Sequence, residues 1–389
     1  MVTGNLHTSF YTPTYPEDWR EVKLGEALVY TQPTNYIENN YVEHGVVPVL
    51  TAGKSFILGY SDKTDSAYKN LPAILFDDFT TEVRYLDYPF MVKSSATKFL
   101  NLKSDYYDIK YLYYWLDKLK FQIEAHERHW ISRFSKFNIV LPSLQEQQAI
   151  ASALSDFDEH IDNLTELIEK KKTIRNGALE DLVSGRTRIE GFDDEWKKTT
   201  LDDCAYIFQG GTPRTTNADY WNGDIVWVTP SEITKLKGMY ISNSERKITK
   251  AGLQNSSAQI LPVGTILLCT RATIGELAIA TKLMTTNQGF KNFVCKDGVD
   301  NIFMAYLLMT LKEVMISKAI GTTFLEISKK VLKAIEIVIP EYREQEAIAS
   351  ILTAMDEEIE ALEEEKEKMI QIKEGAMDDL LTGRVRLKV

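Results

Sequence analysis

The sequence predicts an α+β protein in which two mixed α/β domains are joined by two long helices that pair as an antiparallel coiled coil. Three observations lead to this fold class. A segment of about 48 residues occurs twice, each copy has one apolar stripe at helical spacing, and the segments that precede the copies contain short β-rich runs. Because a variable segment and a repeat alternate twice, we expect the two halves to be related by a pseudo-twofold axis.

Length and composition restrict the possible classes of protein. At about 100–200 residues per domain, 389 residues predict two or three domains, and 44% hydrophobic with 26% charged residues is a globular composition. No run of about 18 apolar residues is present, and the first residues do not have the pattern of a signal peptide. The three cysteines are far apart, so neither a disulfide framework nor a zinc cluster is expected. We therefore predict a cytosolic (cytoplasmic) protein that spans no membrane.

The net charge of −11 is concentrated in the repeats. The number of Lys and Arg residues minus the number of Asp and Glu residues is 15 − 17 = −2 over residues 1–141 and 6 − 10 = −4 over residues 142–190. The same difference is 17 − 15 = +2 over residues 191–339 and 7 − 14 = −7 over residues 340–389. We take these four ranges as the predicted domains. Because the two long segments together are neutral, the overall acidity does not exclude a polyanion such as nucleic acid as a ligand.

The repeated segments run from Pro142 to Ile189 and from Pro340 to Leu387. They are identical at 23 of 48 positions at an offset of 198 residues. A weaker similarity, Pro16–Trp19 against Asp193–Trp196, opens the variable segments. Each repeat contains a glycine near its end, Gly185 or Gly383, that is suited to a helix C-terminus. At about 1.5 Å per residue, roughly 40 helical residues would extend about 60 Å.

Each predicted helix has a single apolar stripe at the 4-3 spacing of a coiled coil. The stripe residues, which we predict to pair the helices, are Ile150, Leu154, Phe157, Ile161, Leu164 and Ile168 in the first copy and Ile348, Leu352, Met355, Ile359 and Leu362 in the second. A polar helix of this length needs a partner for its stripe, and the available partner is its own copy. The alternative, a solvated acidic helix on a globular body, does not explain why the whole arrangement is duplicated.

The variable segments contain predicted strands separated by Gly, Pro and Asn turns. The clearest strands are Val46–Leu50, Ala73–Phe76, Ile225–Val228 and Thr265–Leu268. A helix follows in each segment, at Ile109–Phe121 or Ile302–Ser317. A final strand, Asn138–Leu141 or Ile335–Ile339, then leads through a proline into the repeat.

No set of residues predicts catalysis or a metal site. A DNA methyltransferase would need a glycine-rich cofactor loop and an Asp/Asn-Pro-Pro-aromatic motif, and the sequence has neither. The acidic-x-Lys triplets at Glu21–Lys23 and Asp108–Lys110, a form found in nucleases, are expected by chance in so charged a chain. His126 and His129 have no third ligand, which favours surface or interface residues. The pair Asp77–Asp78 favours a strand end.

Both repeats begin with an apolar strand, a proline, a Glu-Gln pair and an Ile-Ala step: IVLPSLQEQQAIA from Ile139 and IVIPEYREQEAIA from Ile337. The second variable segment adds QGGTP at Gln209–Pro213, DYWNGDIVWVTPSEI from Asp219, LPVGTILLCTRATIG from Leu261 and TNQGF at Thr286–Phe290. The first has PVLTAGK at Pro48–Lys54, ILGY at Ile57–Tyr60 and FDDFT at Phe76–Thr80. With these motifs in this order, nearly the whole chain resembles the DNA-specificity subunits of type I restriction–modification systems, the first segment being of a different branch.

The resemblance implies a function for each predicted domain. Residues 1–141 and 191–339 would be target-recognition domains that each read one half of a bipartite, asymmetric site in double-stranded DNA. Residues 142–190 and 340–389 would be the central and C-terminal conserved helical regions, which set the spacer and dock two methyltransferase subunits. Restriction (translocase) subunits would join indirectly. The chain itself would hold no cofactor, with S-adenosylmethionine and ATP on the partner subunits.

Reading of base edges requires hydrogen-bonding side chains on loops that reach the grooves. On that basis, the DNA-binding candidates are Thr51, Lys54, Ser55, Tyr60 and Thr80 in the first domain, and Thr212, Arg214, Thr215, Ser231, Arg271, Asn287, Gln288 and Lys291 in the second. Each position also suits a turn residue that supports the fold. Arg214, Arg271, Asn287 and Gln288 rank highest because only Arg and Asn/Gln offer bidentate readout. Gly210, Gly211 and Gly289 are expected to serve the backbone.

Two other functions are compatible with the sequence. A coiled-coil adaptor could join two protein-binding domains and never touch DNA, which a gel shift in the presence of the methyltransferase partner would test. A specificity subunit could also serve a modification-only phage-defence system, which the neighbouring genes would decide.

Overall fold

The computed structural model describes residues 15–51, 55–119, 129–321 and 325–389. The candidates Lys54 and His126 and the predicted helix end at Phe121 lie outside these ranges. The chain divides into two compact units, one formed by the residues up to Asn163 with Lys366–Val389 and the other by Leu164–Glu365. Each unit therefore combines one variable segment with parts of both repeats.

The strands of the first variable segment are β1 (Arg20–Lys23), β2 (Leu28–Thr31), β3 (Val47–Leu50), β4 (Ile57–Ser61), β5 (Ala73–Asp77), β6 (Val83–Leu86), β7 (Met91–Val92), β8 (Thr97–Leu102) and β9 (Asn138–Leu141). They form a four-stranded antiparallel sheet in the order β2-β8-β5-β6, a three-stranded sheet in the order β4-β3-β7, and the pair β1-β9. The helices are α1 (Leu24–Ala27), α2 (Ile109–Lys118) and α3 (His129–Ser132), followed by the long helix α4 (Leu144–Ser184).

The strands of the second variable segment are β10 (Lys197–Thr200), β11 (Ala205–Gln209), β12 (Trp221–Val228), β13 (Tyr240–Ile241), β14 (Lys247–Ile248), β15 (Ile266–Cys269), β16 (Leu277–Ala280), β17 (Thr285–Thr286), β18 (Phe290–Cys295) and β19 (Glu336–Ile339). They form a five-stranded sheet in the order β11-β18-β15-β16-β13, a three-stranded sheet in the order β14-β12-β17, and the pair β10-β19. The helices are α5 (Leu201–Cys204), α6 (Pro230–Ile233), α7 (Lys250–Gln254), α8 (Asn301–Thr310), α9 (Lys312–Ser317) and α10 (Lys329–Lys333), followed by the long helix α11 (Tyr342–Leu381).

The predicted mixture of α/β segments with two long helices is confirmed. The predicted helix Ile302–Ser317 is divided into α8 and α9 at Leu311, and the other predicted elements of the described ranges agree to within a few residues. The glycines predicted to end the long helices do so in the left-handed region, with φ of 72° at Gly185 and 71° at Gly383. In the part of the chain that the structure describes, no helix is both long and apolar enough to cross a membrane.

The long helices run antiparallel in each unit, but the residues that meet differ from the prediction. In the first unit, Ile150 and Leu154 of α4 share a core with residues at the end of α11, namely Met377, Leu380 and Leu381. In the second unit, Ile348 and Leu352 of α11 share a core with residues at the end of α4, namely Leu179, Leu182 and Val183. The start of each stripe thus packs against the last turns of the other helix, because an antiparallel pair joins opposite ends.

The remaining stripe residues lie along the middle of the helices. Leu164, Ile168 and Ile359 are buried, whereas Phe157, Ile161, Met355 and Leu362 are half-buried. The same two cores contain apolar residues of the neighbouring variable segment, such as Leu112 in the first unit and Phe303 in the second. Each stripe therefore begins inside the core of a variable domain rather than in a free coiled coil.

A buried glutamine fixes the start of each long helix to its variable segment. Gln345 donates to the carbonyl oxygens of Pro340 at 3.0 Å and Gly298 at 3.2 Å and accepts from the Asp300 amide at 2.9 Å. Asp300 in turn caps α8 by accepting from the Phe303 amide at 2.7 Å. In the first unit, Gln147 bonds to Pro142, Tyr106 and Asp108 in the same way, and Asp108 caps α2.

A buried glutamate precedes each of these glutamines. The Glu344 carboxylate is 1% exposed and accepts from Arg188 Nε at 2.7 Å and Nη2 at 2.9 Å, and from Trp196 Nε1 at 3.2 Å. Glu146 accepts from Arg386 at 2.6 and 2.7 Å. Arg188 follows α4 and Arg386 follows α11, so each arginine ties the end of one long helix to the start of the other.

Replacement of Gln345 by Ala should destabilise the protein. It would leave the Asp300 amide and two carbonyl groups without their partner, and about 1–3 kcal/mol is typical for one buried polar group left unsatisfied. Urea unfolding would measure the loss, with Ser350→Ala, an exposed position on the same helix, as the matched control. Equal stability of Gln345→Ala and the control would contradict the docking function of this side chain.

Candidate nucleic-acid interface

Two of the predicted loops of the second unit meet where β11 ends. The Gly211 amide donates to the Thr286 carbonyl at 2.9 Å, and Trp227 Nε1 donates to the Gly211 carbonyl at 2.8 Å. A Cβ atom at Gly210 would lie 1.9 Å from the carbonyl oxygen of Asn287. The two glycines are thus required by close approach of the backbone, as expected from the sequence.

Three candidate side chains are brought together at this contact. Thr212 Oγ1 bonds to Gln288 Oε1, and Asn287 Oδ1 accepts from the Gly289 amide at 2.8 Å. Asn287 is half-buried and shapes its own turn, whereas Gln288 is exposed. Of the two amide side chains, Gln288 is therefore the better placed to meet a ligand.

Ser231 lies in α6, next to the same loop. The Thr229 amide donates to Glu232 Oε2 at 2.7 Å, and the two residues form a capping box at the start of the helix. Ser231 is exposed, and its hydroxyl is 3.0 Å from Thr229 Oγ1. The neighbouring Pro230 contacts Gly289, since a Cβ there would lie 3.1 Å from Pro230 Cγ. Ser231 thus borders the loop of Gln288.

A polar hollow of about 440 Å³ opens beside the exposed Arg214. It is lined by Arg214, Thr216, Asn217, Tyr220 and Asn255. Arg214 was predicted as a DNA contact, and Thr215, also predicted and exposed, lies between two lining residues. Hydroxyl, amide and guanidinium groups that face solvent in one concave surface are suited to phosphate or base edges.

Sequence reasoning missed most of this hollow and one stacked cation near it. The Arg246 guanidinium lies 3.9 Å from the ring centroid of Trp221, whose Nε1 donates to the Arg214 carbonyl at 3.3 Å. Asn217 and Tyr220 belong to one short turn, whereas Asn255 follows α7 and only the fold brings it beside them. The aromatic run at Tyr220–Trp221 was the available signal, since Arg stacks on exposed aromatic faces.

Lys291 was predicted as a DNA contact on a polar loop, but it is buried within a strand. Its side chain is 2% exposed and lies 3.4 Å from the Glu326 carboxylate and 3.5 Å from Thr270 Oγ1. The same arrangement occurs in the first unit, where the fully buried Lys98 lies 3.1 Å from Asp78. Each lysine lies in an interior strand, β18 or β8, and the first four residues of that strand are all buried, so both faces of the sheet are covered there.

Strained backbone marks the loops that hold two further candidates. Arg271 is half-buried and is followed by Ala272 with φ of 63°, and the exposed Thr80 is followed by Thr81 with φ of 60°. A β-branched or alanine residue in this region is uncommon, and such strain is concentrated at functional loops. The two loops follow equivalent strands, β15 and β5.

The candidates of the first unit are dispersed over two sheets. Thr51 and Ser55 lie in the connection between β3 and β4, and Tyr60 is half-buried within β4. Thr80 lies in the turn after β5, where its amide donates to Asp77 Oδ1 at 2.8 Å. The sequence therefore located polar loops in this domain without identifying a single cluster.

The acidic residues considered for catalysis and the histidine considered for a metal site have structural roles within the described ranges. Asp77 ends β5 and Asp78 pairs with Lys98, in agreement with the predicted strand end. Asp108 is a helix cap, and His129 is buried. Over the described ranges, no group of three or more His, Cys, Asp or Glu side chains could hold a metal ion. Burial raises the pKa of the Cys269 thiol to about 12, which makes it a poor nucleophile.

Comparison with known proteins points to one family. Residues 16–173 and 193–371 match the family model of the type I restriction modification DNA specificity domain. The chain is 32% identical over 357 residues to the type I restriction enzyme EcoR124I/EcoR124II specificity subunit of Escherichia coli, covering 86% of this chain and 85% of that protein. It is 38% identical over 188 residues to the MjaIX specificity subunit of Methanocaldococcus jannaschii, covering 48% of this chain and 44% of that protein.

Solved structures share the fold. A crystal structure of the S subunit of a type I restriction–modification system from M. genitalium matches with a TM-score of 0.63 at 16% identity, covering 96% of this chain and 98% of that one. A chain from a structural study of complex assembly and conformational transition in the type I R-M system matches with a TM-score of 0.59 at 16% identity, covering 96% and 100%.

Replacement of Gly210 by Ala should displace the loop that carries Gln288. A methyl group 1.9 Å from the Asn287 oxygen cannot be accommodated without a backbone shift, and overpacking typically costs about 1–3 kcal/mol. Thermal unfolding should show a lower Tm. Gly177→Ala, inside α4, is the matched control, because its Cβ would meet no atom within 4 Å and Ala favours a helix. An unchanged Tm for Gly210→Ala would contradict the close approach.

Proposed function

This chain belongs to the family of type I restriction–modification DNA specificity subunits, and on that premise we propose that each of its two variable domains reads one half of a bipartite, asymmetric DNA site. The observation that carries the proposal is the duplication of the docking contacts around two different sets of loops. Glu344, Gln345 and Arg188 in one unit correspond to Glu146, Gln147 and Arg386 in the other, each at an offset of 198 residues. Two domains that are attached to the helices by the same contacts but carry different loops are suited to read two different DNA sequences.

We assign the reading of DNA to the exposed polar loops of each domain. In the second domain, Arg214 with the polar hollow and Gln288 with Thr212 are the strongest positions, because their side chains are accessible and can donate to base edges or phosphates. Lys291 is removed from the set because it is buried. We regard the chain as a non-catalytic subunit.

The partners follow from the charge distribution and from the family. The acidic helix is unsuited to face phosphates, and it occurs twice in the chain, which suits two identical methyltransferase subunits. Restriction subunits would join through these partners. We place S-adenosylmethionine and ATP on the partner subunits rather than on this chain.

A coiled-coil adaptor that never touches DNA is the weaker proposal. Both variable segments fall within the matches to the DNA specificity domain, and no feature of the described loops favours a protein ligand. A modification-only system would differ in its neighbouring genes and not in this chain. The DNA-reading function proposed here would therefore be the same in such a system.

Exchange of residues 191–339 for the corresponding segment of another family member should change one half of the recognised site and leave the other unchanged. The two ends of the exchanged segment lie side by side, because β10 near its start and β19 at its end pair antiparallel. The donor segment must retain a helix-capping residue at the position of Asp300, whose carboxylate caps α8 and whose backbone amide donates to Gln345. Sequencing of methylated adenines in cells that express the chimera with its methyltransferase partner would identify the site. A change in both halves would contradict the model of two independent readers, and the reciprocal exchange of residues 1–141 is the control.

Lengthening of both long helices should lengthen the spacer between the half-sites. Seven residues inserted between Asn163 and Leu164 and seven between Glu365 and Lys366 fall at the boundaries of the two units, so the contacts within each unit are kept. Each insertion adds about 10 Å and about two full turns, which corresponds to roughly three base pairs of DNA at 3.4 Å each.

The same sequencing of methylated adenines measures the result. We expect unchanged half-sites with a spacer longer by two to four base pairs, on the order of the added length. Insertion into α4 alone is the control, and it should abolish methylation because the two helices become unequal. An active double insertion with an unchanged spacer would show that the helices do not set the spacing.

A further inference from the structure

A tyrosine, an aspartate and a cation join three elements in the first unit. Tyr114 of α2 donates its hydroxyl to Asp158 Oδ2 of α4 at 2.7 Å. Lys373 of α11 donates to the other oxygen of the same carboxylate at 2.5 Å. The Lys373 ammonium group also lies 5.4 Å from the centroid of the Tyr114 ring. The variable domain and both long helices thus meet at one carboxylate.

The second unit contains the same junction with arginine as the cation. Tyr306 of α8 donates to Asp356 Oδ2 of α11 at 2.8 Å. Arg175 of α4 donates to Asp356 through Nε at 2.7 Å and Nη2 at 3.0 Å, and its guanidinium lies 5.5 Å from the Tyr306 ring centroid. Asp356 is 198 residues after Asp158, and Lys373 is 198 residues after Arg175. The repeat has therefore preserved the carboxylate and a cation at corresponding positions, whereas each tyrosine comes from a variable segment.

Burial makes both tyrosines dependable donors. Tyr114 is 2% exposed and Tyr306 is 1% exposed, and burial raises the pKa of each phenol well above its usual range. The cations are largely covered as well, with Lys373 14% and Arg175 15% exposed. Hydrogen bonds to charged groups in such sites are stronger than those on the surface.

The junction gives each variable domain a second attachment to its long helix. In the first unit, the start of α2 is already held at Gln147 through Asp108. Asp158 lies 11 residues further along α4, or roughly 16 Å. The Gln147 contact alone would leave the direction of α2 to apolar packing, whereas two polar attachments separated along the helix axis fix that direction.

We propose that Tyr114–Asp158–Lys373 and Tyr306–Asp356–Arg175 are positioning junctions that hold each reading domain at one angle on the paired helices and so restrict the protein to one spacer length. The inference rests on the proposed function. None of these residues touches DNA in the proposal. They act through the direction of α2 and α8, which carry the domains.

The test compares methylation of DNA substrates that contain both half-sites separated by different spacers. The protein is used as its complex with the methyltransferase subunits, and rates for the spacer one base pair longer and one shorter are divided by the rate for the preferred spacer. This ratio cancels any uniform loss of folded protein. The variants are Asp158→Asn, which removes the charge, and Tyr114→Phe, a milder change that keeps the ring. Lys373→Arg is the conservative control, because it copies the cation of the second unit.

For Asp158→Asn and Tyr114→Phe, we expect the relative rate on the altered spacers to rise on the order of fivefold, in the range of measured couplings between contacting residues. Lys373→Arg should retain the narrow preference. A uniform fall across all spacers, with unchanged ratios, would overturn the inference and leave the junction a structural contact. Failure of the proposed function is distinguishable, because the unmutated complex would then show no preference for the bipartite site at any spacer.

Discussion

Burial of a carboxylate at the start of each long helix is the constraint on which the rest of the structure depends. An ionised glutamate in a domain core is tolerated only when it is paired and hydrogen-bonded. Glu344 and Glu146 each meet this requirement with an arginine that follows the opposite helix. Within each unit, the two helices must therefore run antiparallel in one register, since any shift along the axis would separate the carboxylate from its guanidinium. The adjacent glutamines then attach the variable domains at the same point.

The repeat and its helical character could be predicted from the sequence, but the partners of its residues could not. Periodicity identified the stripe that begins at Ile150 and Ile348, because apolar spacing is a local property. The partners of these residues are the last turns of the other helix, about Leu380 and Leu182, which depend on chain direction and register. Arg188 and Arg386 lie within the repeats but beyond the helices, where helical periodicity gives no information about their partners.

The candidate interface shows the same division between local and long-range information. Gly210 was expected from its motif to serve the backbone, but its close contact with the loop of Gln288 could not be predicted from the motif. Lys291 was predicted to lie on a polar loop that reaches DNA, and only the fold shows that it lies in an interior strand with Glu326 beside it. Arg214, Asn217 and Asn255 form one hollow although they are separated by up to 41 residues (255 − 214 = 41).

The division of labour within the chain follows from where the contacts originate. The carboxylates, the glutamines and the cations of each unit come from the repeated segments, which remained similar after duplication, whereas the exposed loops come from the variable segments. A change in a loop such as that of Gln288 leaves Glu344, Gln345 and Arg175 in place. Selection could therefore alter what each domain binds while the attachment stayed constant. That separation accounts for a protein whose two halves are nearly half identical in their helices and yet differ in the loops proposed to read DNA.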